Sequence, residues 1–125
     1  MRETITITAE ARGRYVKQMS EPPIYGDVWL RVEPLERGKG FEFVNAVAEA
    51  VIPQEYIKPI EEGIREALEN GVLQGHPMTD LRVTLFGGSY HEVDSSARAF
   101  KKAGAMALKA AVEQAHPLVF EPDAD

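Results

Sequence analysis

The chain has no cysteine among its 125 residues, which excludes a disulfide framework and any zinc or redox site built on thiolates. The cytoplasm is the simplest home for it. No apolar run approaches the ~20 residues of a membrane-spanning helix, and Met1-Arg2-Glu3-Thr4 opens without a signal-peptide pattern, so a soluble chain with no membrane partner is expected. Positive charge is also scarce: 14 Lys and Arg stand against 20 Asp and Glu, a net charge of -6. That balance favours solubility and works against indiscriminate binding to nucleic acid. Internal repeats and low-complexity linkers are missing too, and the length suits a single domain over residues 1–125.

What is present reads as alternating strands followed by strands and helices interleaved. Thr4 to Thr8 alternates Thr and Ile at the period of a half-buried strand, with Arg14 to Lys17 continuing it past a bulge or bend at Gly13. A stiff polar loop from Gln18 to Asp27 follows, its Ser20-Glu21-Pro22-Pro23 unable to sustain a ladder. Val28, Leu30 and Val32 alternate with Trp29, Arg31 and Glu33 as a second strand ended by Pro34. The short charged connection Glu36 to Gly40 then predicts a hairpin into a third strand, Phe41 to Val44, antiparallel to the second.

Pro53 opens a helical region in which Ile57, Ile60, Ile64, Ala67 and Leu68 share one face, Glu61, Glu62, Glu66 and Glu69 the other, and Asn70-Gly71 makes the stop. A fourth strand runs from Met78 to Phe86. A second helix carries the small-residue stripe Ala97, Phe100, Ala103, Gly104, Ala107, Leu108, Ala111 and Val112, and His116-Pro117 breaks it before a fifth strand, Leu118 to Phe120. The order βββαβαβ predicts a two-layer α/β (α+β) sandwich, a mixed sheet of four to five strands with both helices on one face.

The chemistry-bearing stretch is Gly87 to Ser96, where the fourth strand gives way to the second helix. Two glycines allow a turn, and Asp94, Ser95 and Ser96 are each competent helix caps. His91, Glu92, Asp94 and Ser95 include the parts of a nucleophile and base system, yet contiguous residues on one loop tip rarely arrange a triad with a separate oxyanion site, so no catalytic residue is assigned. Nothing brings His76 and His116 to His91, and no metal site follows. Gly38-Lys39-Gly40 lacks the spacing of a phosphate loop. Tyr90 and His91 remain as an exposed aromatic and imidazole pair of a kind that stacks on bases or touches RNA backbone.

Gly88-Ser89-Tyr90-His91-Glu92-Val93-Asp94-Ser95-Ser96, followed by Ala99-Phe100, resembles domain IV of translation elongation factor G. Arg2-Glu3-Thr4-Ile5, Tyr25-Gly26-Asp27-Val28, Gly40-Phe41-Glu42-Phe43 and Val51 to Ile57 are similar to other segments of that domain, as in outline are Gly71, Gly75 and Pro77. The resemblance covers essentially the whole chain. It implies a sandwich of the ribosomal protein S5 second-domain type, with a left-handed β-α-β connection that general rules would not suggest. It also implies a non-enzymatic arm of a translational GTPase that enters the small-subunit decoding region during translocation, its partners being the ribosomal small subunit, rRNA and the mRNA–tRNA of the A site. The chain is then expected to be a cytoplasmic monomer without a cofactor, GTP and magnesium belonging to other domains of the parent.

Carried over residue by residue, the resemblance makes a tip of two loops: Gln18, Ser20, Glu21, Tyr25 and Gly26 from the first, Gly88, Ser89, Tyr90, His91 and Glu92 from the second, with His91 at the extremity. The departures concentrate in the first loop. Met19 to Ile24 stands where the family has a glycine-rich, usually arginine-containing loop, Gly87 stands where the family usually has Asp, and Thr6 to Ala9 replaces a more basic segment. The loss of basic residues from the first loop and from Thr6 to Ala9, with the added carboxylate of Glu21, lowers the expected affinity for phosphates. The chain begins and ends where that domain does, which suggests an excised or redesigned domain, with a stand-alone paralogue as the other option. The alternative function is a scaffold of the same fold with little or no ribosome binding.

Overall fold

The computed structural model describes residues 1–17 and 24–122. The elements run β1 (Arg2–Thr4), β2 (Ala9–Lys17), β3 (Ile24–Pro34), β4 (Phe41–Asn45), α1 (Ile57–Asn70), β5 (Leu81–Ser89), α2 (Ala97–Gln114) and β6 (Leu118–Phe120). A four-stranded mixed sheet has the order β2-β3-β5-β4, and β1 and β6 form a separate antiparallel pair. This is the expected α+β class. It differs from a single five-stranded sheet because the last strand pairs with the first, Glu3 opposite Val119, and never joins the larger sheet.

Alternation along β3 and β5 places Val28, Leu30, Val32, Leu81, Val83 and Leu85 in one fully buried layer. The apolar faces of α1 (Ile60, Ile64, Ala67, Leu68) and α2 (Phe100, Ala103, Ala107, Leu108, Ala111, Val112) close the same core. In α2 the buried stripe includes Ala99 and leaves Ala97 exposed, which departs from the sequence-based expectation at the first turn. The opposite face of the sheet is open, with Trp29 38% exposed beside Arg12 and Phe86.

Gly13 is neither bulge nor bend. It pairs in unbroken register with Val28, and its missing side chain is what lets α2 approach, since a Cβ there would lie 2.1 Å from the Ala103 carbonyl oxygen. Gly26 does the same beneath Ala99. The Thr–Ile alternation of Thr4 to Thr8 is likewise not one strand. β1 ends at Thr4, and the Thr6 and Ile7 amides turn to the Ala115 carbonyl while Thr6 Oγ1 donates to His116 O, so the segment satisfies the C-terminus of α2.

The predicted β3–β4 hairpin is also replaced. β5 lies between the two strands, antiparallel to β3 and parallel to β4. The short connection passes over the start of β5, where buried Asp80 accepts the Gly38 and Gly40 amides at 3.1 and 3.0 Å through Oδ1 and the Leu35 amide through its carbonyl. Asp80, at φ 62, ends the fourth strand's reach backwards: β5 begins at Leu81, and Met78 instead makes an isolated bridge with Glu3. At its other end β5 runs on through Gly87 and Gly88 to Ser89, residues expected in the loop.

Glu3 anchors the end of the molecule opposite that loop. Its carboxylate is fully buried and accepts the amides of Val72, Leu73, Gln74 and His76 at 2.7–3.0 Å. Burial alone would raise its pKa, but the four N–H donors outweigh that and hold it down to about 2.

Candidate nucleic-acid interface

The site grows from the end of the sheet where β3 begins and β5 ends. Asp27, only 3% exposed, takes the guanidinium of Arg12 in a two-point contact (Nε–Oδ1 2.7 Å, Nη2–Oδ2 2.9 Å) and the Ser89 hydroxyl at 2.7 Å. Ser89 Oγ lies 2.6 Å from the Tyr25 hydroxyl. A bonded chain Arg12–Asp27–Ser89–Tyr25 thus crosses three strands. Burial pushes the Asp27 pKa up, and the hydrogen bonds from Arg12 and Ser89 with the charges of Arg12 and Arg14 outweigh it, so it lies below the usual carboxylate value.

Close backbone contact brings the strands together here. A bulge displaces Phe86 between the pairs Trp29–Gly87 and Leu30–Leu85. A Cβ on Gly88, whose φ is 150, would sit 2.3 Å from the Asp27 carbonyl oxygen, so only glycine fits.

Residues 90–95 form a closed loop above this platform. The His91 amide donates to Ser95 Oγ at 2.8 Å, the Ser95 amide donates to His91 O at 2.9 Å, and the Tyr25 amide donates to Asp94 O at 3.1 Å. His91 Nδ1 accepts the Asp94 and Val93 amides at 3.2 and 3.3 Å. An Nδ1 so engaged is an acceptor, which leaves the ring proton on Nε2 and makes that edge a donor. The Asp94 carboxylate, 3.6 Å from Nδ1, is too far for a hydrogen bond. The ring leans on Tyr25 at a centroid distance of 6.3 Å, and the Arg14 guanidinium stands 5.7 Å from the centre of the Tyr25 ring.

Ser96 is the N-cap of α2, its Oγ accepting the Ala99 amide at 3.2 Å. Asp94 and Ser95, expected as further caps, bind β3 and His91 instead. Ser95 Oγ meets the His91 amide and not its imidazole, so the loop does not pair a hydroxyl nucleophile with a base. Among the described residues no group of three or more His, Asp or Glu could hold a metal ion.

Of the residues expected at the tip, Tyr25, Gly26, Gly88 and Ser89 lie within strands as its floor, and Tyr90, His91 and Glu92 are exposed above it. Gln18, Ser20 and Glu21 lie outside the described residues. Three participants go beyond the sequence-based expectation: Arg12 and Arg14, which alternate onto the open sheet face, and Val93, 83% exposed at the loop's outer edge. The arginines leave a signal in the sequence, two cations at strand spacing, but their partners are distant in sequence.

The family model for elongation factor G, domain IV, matches residues 1–116. A solved chain from Thermus thermophilus superposes with a TM-score of 0.86 at 46% identity, over 93% of this chain. The match covers 17% of that longer chain. With a family model matched over nearly its full length and a structural relative of this identity, the chain belongs to the elongation factor G, domain IV, family.

Proposed function

We propose that this chain is the ribosome-directed tip of a translational GTPase, a cytoplasmic domain that enters the decoding region of the small subunit during tRNA–mRNA translocation. Tyr90, His91 and Glu92 meet rRNA and the A-site mRNA–tRNA, Gly88, Ser89, Tyr25 and Gly26 support them, and Gln18, Ser20 and Glu21 are the further contacts that the resemblance implies. The chain performs no catalysis and needs no cofactor; GTP and magnesium act in other domains of the parent.

One observation carries this reading: the imidazole of His91 is fixed by two backbone amides on a loop pinned to the sheet, which presents Nε2 as a pre-oriented donor. A donor held in advance loses little entropy on meeting a phosphate or base edge. The test is co-sedimentation with small ribosomal subunits at low salt. Binding is expected, with a loss of about tenfold for His91→Ala, the size of one charge-assisted hydrogen bond. No binding at low salt, or equal binding by the variant, would favour the alternative of a scaffold without ribosome affinity.

A further inference from the structure

The positive charge of this acidic chain is not evenly spread. α2 carries Arg98, Lys101, Lys102 and Lys109 against the single carboxylate of Glu113, four of the chain's 14 basic residues on one helix. At about 100° per residue all four fall within an arc of about 100°. They border a groove of about 540 Å³ between α1 and α2, lined from α1 by Glu66, Ala67 and Asn70.

Elsewhere many of the cations are neutralised. On the open sheet face Arg12 pairs with Asp27, Arg31 with Glu10, and Arg82 with Glu42. On the α2 ridge Lys101 pairs with Glu66 at 2.9 Å, but Arg98, Lys102 and Lys109 have no ion pair among the described residues. All three are exposed. From Arg98 to Lys109 the ridge is roughly 16 Å long, and it starts in the first turn of the helix, directly behind the Ser96 cap that closes the tip loop.

We propose that this ridge is a second contact surface, which takes the sugar-phosphate backbone of RNA. Three cations without an ion pair, Arg98, Lys102 (its Nζ 5.7 Å over the Tyr15 ring) and Lys109, on one side of a helix suit a regularly charged polyanion, binding it by counterion release without reading its sequence. The inference rests on the tip reading for its partner: RNA reached by residues 90–92 has the α2 ridge beside it. Tip and ridge divide the work, the former positioning the chain and the latter supplying salt-sensitive affinity.

The experiment measures binding to small subunits, and separately to a plain RNA hairpin, across a salt series. Four proteins are compared: the unaltered chain, Arg98→Gln/Lys102→Gln/Lys109→Gln, His91→Ala, and a control that loses the same charge off the ridge, Arg2→Gln/Lys39→Gln/Lys58→Gln. The ridge variant is expected to lower the slope of log affinity against log salt by about two to three on both RNAs, because three phosphate contacts are lost. His91→Ala is expected to leave the slope unchanged. Thermal unfolding of each variant confirms that surface changes have left the fold intact.

An unchanged slope in the ridge variant, or an equal drop in the control, overturns the proposal. A ridge for an acidic protein partner would give the first of these results. If the ridge variant lowers the slope while His91→Ala has no effect on subunit binding, the ridge stands and the tip reading falls.

Discussion

A carboxylate set in a strand between Gly26 and Val28, almost wholly out of water, needs its lone pairs answered, and Arg12 and Ser89 answer those of Asp27. Asp27→Asn removes the charge that holds Arg12 and leaves one amide oxygen where two carboxylate oxygens accept from Arg12 and Ser89, so a loss of about 1–3 kcal/mol is expected by urea unfolding at pH 7. Because the folded pKa lies below its ordinary value, this stability is present above the unfolded pKa and is lost as pH falls through the folded one. Wild type and variant should therefore converge in acid. Glu3 follows the same sign with a defined window. Its folded pKa of about 2 against 4.5 gives stability that is complete above pH 4.5 and fades towards pH 2. Glu3→Gln leaves part of a four-donor set unanswered and is expected to cost about 1–3 kcal/mol at pH 7 and much less near pH 2, measured by urea unfolding at both.

Among the elements, α2 links the loop of residues 90–95 to the core, since its N-terminus closes that loop and its small residues seat it on β2 and β3. Gly13→Ala forces a methyl into the Ala103 carbonyl, and at least about 2 kcal/mol is expected to be lost, read as a lower thermal midpoint. The helices are legible in the sequence because their apolar residues recur at three and four over long stretches, and Ser96 stands in the right place for a cap. β3 and β5 are legible for the corresponding reason at period two. The role of Gly13 is not, because a close approach between a strand and a helix some 90 residues later leaves no local mark. The Thr–Ile run misleads because the hydrogen bonds it answers belong to the end of α2.

For the molecule as a whole, the fold class is readable from the sequence and the strand order is not. A short charged connection between β3 and β4 satisfies every local condition for a hairpin, yet Asp80 captures the connection's amides and β5 takes the central place. The loop between strand and helix is visible in the sequence, and the resemblance singles out His91 within it. The bonded platform beneath it depends on Arg12, Asp27, Ser89 and Tyr25 meeting across strands, which no spacing announces. At this scale the molecule is an acidic body with a fixed imidazole at one end and the buried Glu3 carboxylate closing the other. The most direct test of the central claim is chemical footprinting of small-subunit rRNA in the presence of the chain at low salt. Protection confined to the decoding region, weakened by His91→Ala, is the expected result. Protection elsewhere, or none, would contradict it.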